Sequence, residues 1–410
     1  MTANSSESLM LNPKTSDQNP WAIFLVFLKL GLTSFGGPIA HLGYFRHEFV
    51  RQRQWLTERS YADLVALCHF LPGPTSSQVG MALGLSRSGY AGALAAWAGF
   101  TLPSALILIL FALGITNYGN AMPSGVLHGL ELVAVAVVAQ AVWGMARNLC
   151  PDLPRITLMI AATCFTLLLP TVLGQLAVIV LAAAVGLIAF KPQLDITHDE
   201  LPLTMSPRAG RLWLTLFLAL LIGLPLLAFL SSHQIILVLD AFYRSGALVF
   251  GGGHVVLPLL QAEVVHSGLV TNETFLAGYG VAQAVPGPLF TFAAFLGASI
   301  TSTVNPWLTG LLCLLAIFAP SFLLIAGTLP FWERLRRHRR MQASLLGINA
   351  AVVGILLAVL YQPVWTNTIQ TPHDFVLALL AFTAIRFWKL PIWLVVFSSA
   401  LLGTLLPLTY

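Results

Sequence analysis

Apolar and polar positions alternate along this chain on a long period. Stretches of about 18 or more mostly apolar residues recur from one end to the other, separated by short polar or charged runs, the pattern of membrane helices. The apolar segments lie near 21–45, 60–85, 91–115, 124–147, 155–170, 172–190, 211–231, 235–260, 275–300, 304–329, 344–362, 374–386 and 390–408. Four of them carry internal breakers. Gly36-Gly37-Pro38 interrupts the first and Pro72-Gly73-Pro74 the second; Gly251-Gly252-Gly253 and Pro286-Gly287-Pro288 interrupt 235–260 and 275–300. Proline removes a helical hydrogen bond and glycine permits the turn. An unbroken helix of 25 residues would span roughly 38 Å, whereas two arms of about 12 residues reach roughly 18 Å, just past the midplane of a ~30 Å core. These four segments are therefore predicted to be re-entrant hairpins and the others crossings; the alternative, thirteen simple crossings, also inverts the halves but puts the Arg334–Arg340 cluster outside.

The breakers expose a repeat. Gly31-Leu-Thr-Ser-Phe-Gly36-Gly37 returns as Gly246-Ala-Leu-Val-Phe-Gly251-Gly252, with Lys29 and Arg244 in matching places just before. Pro72-Gly73-Pro74 returns as Pro286-Gly287-Pro288, Pro103-Ser104 as Pro320-Ser321, and Gly129-Leu-Glu131 as Gly347-Ile-Asn349. The offset stays at about 214 to 218 residues, so the matches fall in order at one spacing, the mark of a duplication.

Charge orients the two copies. Residues 46–59 carry Arg46, Arg51, Arg53 and Arg59, while the equivalent stretch 261–274 has no Lys or Arg. The bias reverses further on: 117–123 is uncharged, and its partner holds Arg334, Arg336, Arg337, Arg339 and Arg340. Cytoplasmic loops carry the excess of Lys and Arg, so the repeats are expected to insert oppositely. Parity then requires 60–85 to enter and leave on one side. The expectation is an all-α polytopic membrane protein with two inverted-topology repeats, broken re-entrant helices and about 13 hydrophobic segments. Its parts are a disordered tail (1–20, with no removable signal peptide), a first repeat (21–190), a linker and linking helix (191–234), and a second repeat (235–410).

Composition narrows the function. Only 9% of the 410 residues are charged and 57% are hydrophobic, against about 25% charged in soluble domains. The net charge of +5 comes from short clusters between apolar segments, without the aromatic-basic interleaving that would suggest nucleic acid. Cys68, Cys150, Cys164 and Cys313 form no CxxC pair. No cluster has metal-ligand spacing, no Ser-His-Asp grouping suggests catalysis, and no dinucleotide or haem fingerprint suggests a cofactor. The chain reads as a non-enzyme without metal or cofactor.

Intramembrane polar residues carry the candidate chemistry, because a central cation costs about 2.5–3.5 kcal/mol to insert. Lys29 and Arg244, each just before a Phe-Gly-Gly turn, are candidates to draw an anion into a shared cavity. The alternative is that Lys29 snorkels and Arg244 pairs with Asp240 one turn earlier. After Pro72, Gly73 and Pro74 come Thr75, Ser76, Ser77 and Gln78. Proline suits the first turn of a helix, so each Pro-Gly-Pro is expected to start a half-helix whose free N–H groups face the midplane, a site for a tetrahedral oxyanion. Gly36, Gly37, Gly251 and Gly252 could present further N–H groups or merely turn the chain. Asp63, His69 and Glu131 are the candidates for proton coupling, Glu131 foremost as a lone carboxylate inside a crossing.

These motifs together resemble the chromate ion transporter family in its long, two-domain form. The resemblance rests on Phe27-Leu-Lys29-Leu-Gly31, Ser34-Phe35-Gly36-Gly37-Pro38, Leu71-Pro72-Gly73-Pro74-Thr75 with Gln78, Gly99-Phe100 with Leu102-Pro103-Ser104, Phe250-Gly251-Gly252-Gly253 with Leu257-Pro258, and Pro286-Gly287-Pro288. It covers about residues 20 to 405; Ser77 stands where many members are expected to have Thr. It implies a bacterial inner-membrane antiporter-like carrier that exports chromate and confers resistance, with sulfate as the competing dianion. The expected partners are that anion, membrane lipid and, as an open option, a second copy of the chain. An anion channel on the same scaffold is the alternative.

Overall fold

The structure is a computed structural model that describes residues 19–35, 37–118, 124–190, 206–231, 233–250, 256–265, 267–300, 305–332 and 339–404. The described residues are helical and contain no strand. In the first half they form α1 (Pro20–Thr33), α2 (Gly37–Phe45), α3 (Glu58–Phe70), α4 (Thr75–Tyr118), α5 (Ser124–Leu149), α6 (Leu153–Leu168) and α7 (Val172–Ala189). A linking helix, α8 (Pro207–Ser231), follows. The second half holds α9 (Gln234–Leu248), α10 (Val256–Val264), α11 (Asn272–Ala284), α12 (Phe292–Ser299), α13 (Pro306–Thr328), α14 (Arg339–Val359), α15 (Pro372–Arg386) and α16 (Ile392–Gly403). Element order repeats across α8. The first arm and crossing after Pro-Gly-Pro are one bent helix, α4, where the second half has α12 and α13.

The breaks fall where the breakers stand. α1 stops at Thr33, Ser34 is extended, and Gly37 opens α2 with φ +76°. α3 is capped by the Thr57 hydroxyl, which accepts from Ser60 N–H at 3.1 Å, and stops before Leu71, which is extended. Gly73 (φ +123°) and Gly287 (φ +113°) make the two Pro-Gly-Pro turns in a backbone region that side chains rarely enter. α4 then bends at Ser88 and Gly89, both non-helical. At that bend the Arg87 guanidinium lies 5.1 Å from the ring centre of Trp55, which precedes α3. The start and end of the 60–85 segment thus lie side by side.

Among the described residues, five helices are long and apolar enough to cross a membrane: Thr75–Ile115, Gly125–Leu149, Pro207–Ser231, Pro306–Phe331 and the continuous stretch Arg339–Thr368. Shorter apolar helices include α1, α6 and α16. Burial separates their roles: 72% of the apolar window in α5 is buried but only 11% in α8. α8 therefore shows its side chains to the surroundings, as suits a lipid-facing link, and α5 belongs to the interior.

The halves exchange partners. α5 packs on α15 and α16 of the second half, and α14 packs on α6 and α7 of the first. Small residues let these backbones touch. A Cβ on Gly129 would stand 2.2 Å from the Ser399 carbonyl oxygen, and one on Gly347 would stand 2.0 Å from the Ala182 carbonyl oxygen. Gly31 and Gly246, equivalent positions, likewise face the Gly99 and Ile317 carbonyls. Gly347→Val is expected to force α14 off α7 and destabilise the protein by about 1–3 kcal/mol or more, read as a lowered Tm in detergent. Gly144→Ala in α5, with open space around it, is expected to leave Tm unchanged or raise it.

Candidate functional site

Each Pro-Gly-Pro turn is tied to the opposite half. The Gly73 N–H donates to the Val249 carbonyl at 2.7 Å, and the Gly287 N–H donates to the Ser34 carbonyl at 3.0 Å. Each Pro-Gly-Pro turn thus satisfies the carbonyl at the end of the other half's first arm. The serines after the crossing prolines show the same exchange. A Cβ on Gly73 would lie 2.3 Å from Ser321 Oγ, and one on Gly287 would lie 2.7 Å from Ser104 Oγ.

The two equivalent turns differ in what they leave free. After the first, Gln78 N–H makes the first helical bond to the Pro74 carbonyl, at 2.9 Å. The N–H groups of Thr75, Ser76 and Ser77 precede it and have no place in the helical ladder. Thr75, Ser76, Ser77 and Gln78 are all buried, at 0–3% exposure. Gln78 Nε2 donates to the Pro72 carbonyl at 2.6 Å. Ser77 Oγ, Gln78 Oε1 and Ser321 Oγ, by contrast, are buried without a hydrogen-bond partner. Buried polar atoms are ordinarily paired; of these three, the Ser77 and Ser321 hydroxyls can donate, whereas Gln78 Oε1 only accepts.

The second turn is closed. Thr291 turns both its N–H (3.0 Å) and its hydroxyl (2.7 Å) onto the Pro288 carbonyl, and Ser104 Oγ donates to the Thr101 carbonyl at 3.0 Å. A short 3-10 turn over Leu289–Thr291 replaces a clean helix start, and Phe290 and Phe292 are fully buried beside it. The two turns thus differ in how their hydroxyls are used, although Gln283 Nε2 and Thr101 Oγ1 near the second are also buried without a partner.

His41 joins the first site from α2. It is 1% exposed, its Nδ1 lies 3.4 Å from Ser76 Oγ, and its Nε2 has no partner. Its ring stands edge-on to Phe100 at 5.3 Å and contacts the Ser34 backbone. Sequence reasoning missed it. The available signal was that the equivalent second-half position is the apolar Val256, so one copy alone carries a polar residue there.

The predicted cations lie differently. Arg244 is held by Asp240 at 2.8 Å and Glu263 at 3.1 Å, so its charge is already compensated by two carboxylates, and the pairing alternative describes it. Lys29 lies on the exposed side of α1. Its neighbourhood is not equivalent to that of Arg244, because Glu48, the counterpart of Glu263, pairs with Arg53 at 2.7 Å. Pro72, Pro74, Pro286 and Pro288 frame the turns. Gly37 opens α2, whereas Gly36, Gly251 and Gly252 lie outside the described residues. Asp63 is buried and His69 exposed on α3. Glu131 lies on α5 among ionisable neighbours, away from these turns in the chain. No group of three or more potential metal ligands occurs among the described residues.

The sequence profile described as Chromate transporter matches this chain twice, over residues 21–187 and 236–404. These two stretches coincide with the two structural halves and omit α8. The chain is 27% identical to a chromate transport protein of Pseudomonas aeruginosa over 82% of its own length and 78% of that protein's. It is 28% identical to a probable chromate transport protein of Synechococcus elongatus over 89% and 88% of the two chains. A chromate transport protein of Cupriavidus metallidurans is 23% identical over 93% and 92%. No solved structure matches. With both halves matched and the breaks assembled as described, this multi-pass membrane chain belongs to the chromate transporter family.

Proposed function

We propose that this protein is a secondary carrier that exports chromate across a bacterial inner membrane, with sulfate as its competitor, and so confers chromate resistance. The observation that carries the reading is the start of α4, where N–H groups outside the helical ladder lie with the buried, unpartnered Ser77 hydroxyl, and the unpartnered Ser321 hydroxyl comes from α13. Free N–H groups at a helix start favour an anion, and the hydroxyls of Ser77 and Ser321 add donors from both halves. A tetrahedral dianion offers four oxygens to such a shell. Neutral donors bind it without a fixed cation, which leaves it free to depart.

The opposite loop charges of the two repeats support inverted insertion, with the breaks converging at mid-membrane from opposite faces. Rocking of one half against the other around this point would give alternating access. Energetics agree with export: one charge crossing 100 mV is worth ~2.3 kcal/mol, so a dianion gains about 4.6 kcal/mol on leaving a negative interior.

Ser77→Ala and Ser321→Ala are each expected to weaken chromate affinity by roughly tenfold or more, the worth of one hydrogen bond to a charged group. Thr291→Ala, whose hydroxyl already serves Pro288, is expected to bind as the unaltered protein does; equilibrium binding to purified protein checks all three. Everted inner-membrane vesicles containing the protein are expected to take up chromate in a saturable, energy-dependent way that sulfate inhibits. Uptake no greater than in empty controls would refute the substrate assignment, and flux that never saturates would indicate a channel.

A further inference from the structure

A second group of ionisable side chains is buried away from the α4 site, between the halves. His128 on α5 places Nε2 2.7 Å from Asp374 Oδ1 on α15, and Nδ1 3.8 Å from Glu131 Oε2 one turn along α5. Asp374 also accepts from the N–H groups of Thr371 at 2.8 Å and Gln370 at 3.1 Å. It is thereby fixed as a carboxylate that caps α15, and His128 Nε2 must be the donor toward it. The remaining nitrogen, Nδ1, faces Glu131 across a gap too long for a hydrogen bond yet within ion-pair range. His128 is the ion-pair partner of Glu131 among the described residues.

We propose that Glu131 and His128 form a proton-binding pair that couples substrate movement to protons, with Asp374 as its fixed anchor. This rests on the transport reading above and adds a site to it. With one shared proton the pair is neutral overall, either imidazolium with carboxylate or imidazole with carboxylic acid. Without it, Glu131 and Asp374 leave two negative charges around a neutral imidazole. The surroundings do not compensate them. α11 contributes Glu273, close enough to act on Glu131 with like charge. α15 contributes exposed His373 besides Asp374, and Arg386 in its last turn. The charged residues of α14 are Arg339 and Arg340 in its first turn, Arg147 is in the last turn of α5, and α16 carries none. Tyr361 follows α14.

A mechanical link to the anion site exists in the packing. Beside Glu131, the Leu130 carbonyl meets α11 at Gly280, where an added Cβ would stand 2.6 Å away. α11 runs directly into Pro286-Gly287-Pro288, whose Gly287 N–H holds the Ser34 carbonyl, and Ser34 is in contact with His41 and so with Ser76. Loss of the proton sets Glu131 against Glu273 across the α5–α11 contact and pushes on the arm that ends at the second turn. The pair lies about 6–10 Å along α5 from its first residue, on the side that the uncharged 117–123 stretch marks as outside. An outside proton that loads there and leaves inside would exchange for an outgoing anion. The second half has Leu346 and Asn349 at the matching positions, so the molecule holds one such pair.

The test uses the full chain in liposomes, with two arms. Exchange of labelled for unlabelled chromate at equal pH reports substrate movement, and accumulation driven by an imposed pH gradient reports coupling. Glu131→Gln and His128→Gln are expected to keep exchange while losing the pH-driven component by roughly tenfold or more. Asp374→Asn, which loosens the cap of α15, is expected to lower Tm, whereas Glu131→Gln is not. Variants that accumulate chromate under a pH gradient as the unaltered protein does would overturn the proposal. So would variants that lose exchange and driven transport in equal measure, since a merely structural pair predicts that. Absence of exchange in the unaltered protein would overturn the chromate reading itself, and the coupling with it.

Discussion

A chain broken inside a membrane must still satisfy every backbone polar group, because the hydrocarbon offers no water. This molecule meets that constraint by exchange. The glycine N–H of each Pro-Gly-Pro turn is satisfied by the carbonyl that ends the other half's first arm, Gly73 with Val249 and Gly287 with Ser34. Neither half could leave its breaks at membrane depth alone. The same exchange recurs at larger scale, where α5 lies against α15 and α16 and α14 against α6 and α7. The breaks, the interleaved packing and the central polar site are consequences of one pairing.

Duplication supplies the scaffold, and departures from symmetry supply the chemistry. Around the first turn, hydroxyls and an imidazole are buried with atoms left unpaired. Around the second, Thr291 bonds within its own turn and Phe290 and Phe292 are buried beside it. His41 stands where the second half has Val256, and Glu131 where it has a neutral Asn349, so the titratable member of each pair is in the first half. A helix start with free N–H groups and neutral donors suits an ion that must be held and then released, whereas a buried unpaired arginine would bind it too well to let go.

The fold was legible because its determinants are local. Hydrophobic runs set the helices, Gly and Pro set the breaks, and the repeat offset pairs the halves. The site was legible only in part. Thr75 to Gln78 could be read because they follow a proline that starts a helix. Ser321, His41 and Asp374 could not, since each reaches its partner across the fold from a distant element. Arg244 shows the same limit: Asp240, one turn away, could be read as its partner, but Glu263 comes from α10 across the break. Charge alone marks an intramembrane cation without saying which carboxylates answer it.

Convergence of the breaks from opposite faces requires the two repeats to insert oppositely, and sided labelling measures this most directly. In a chain whose four native cysteines are replaced, single cysteines would be placed at Arg51 and at Ser267, exposed positions in equivalent loops. Both would be probed with a membrane-impermeant maleimide in right-side-out and everted vesicles. The account predicts labelling of Arg51→Cys only in everted vesicles and of Ser267→Cys only in right-side-out ones. Labelling of both from the same side would mean parallel repeats and would contradict it.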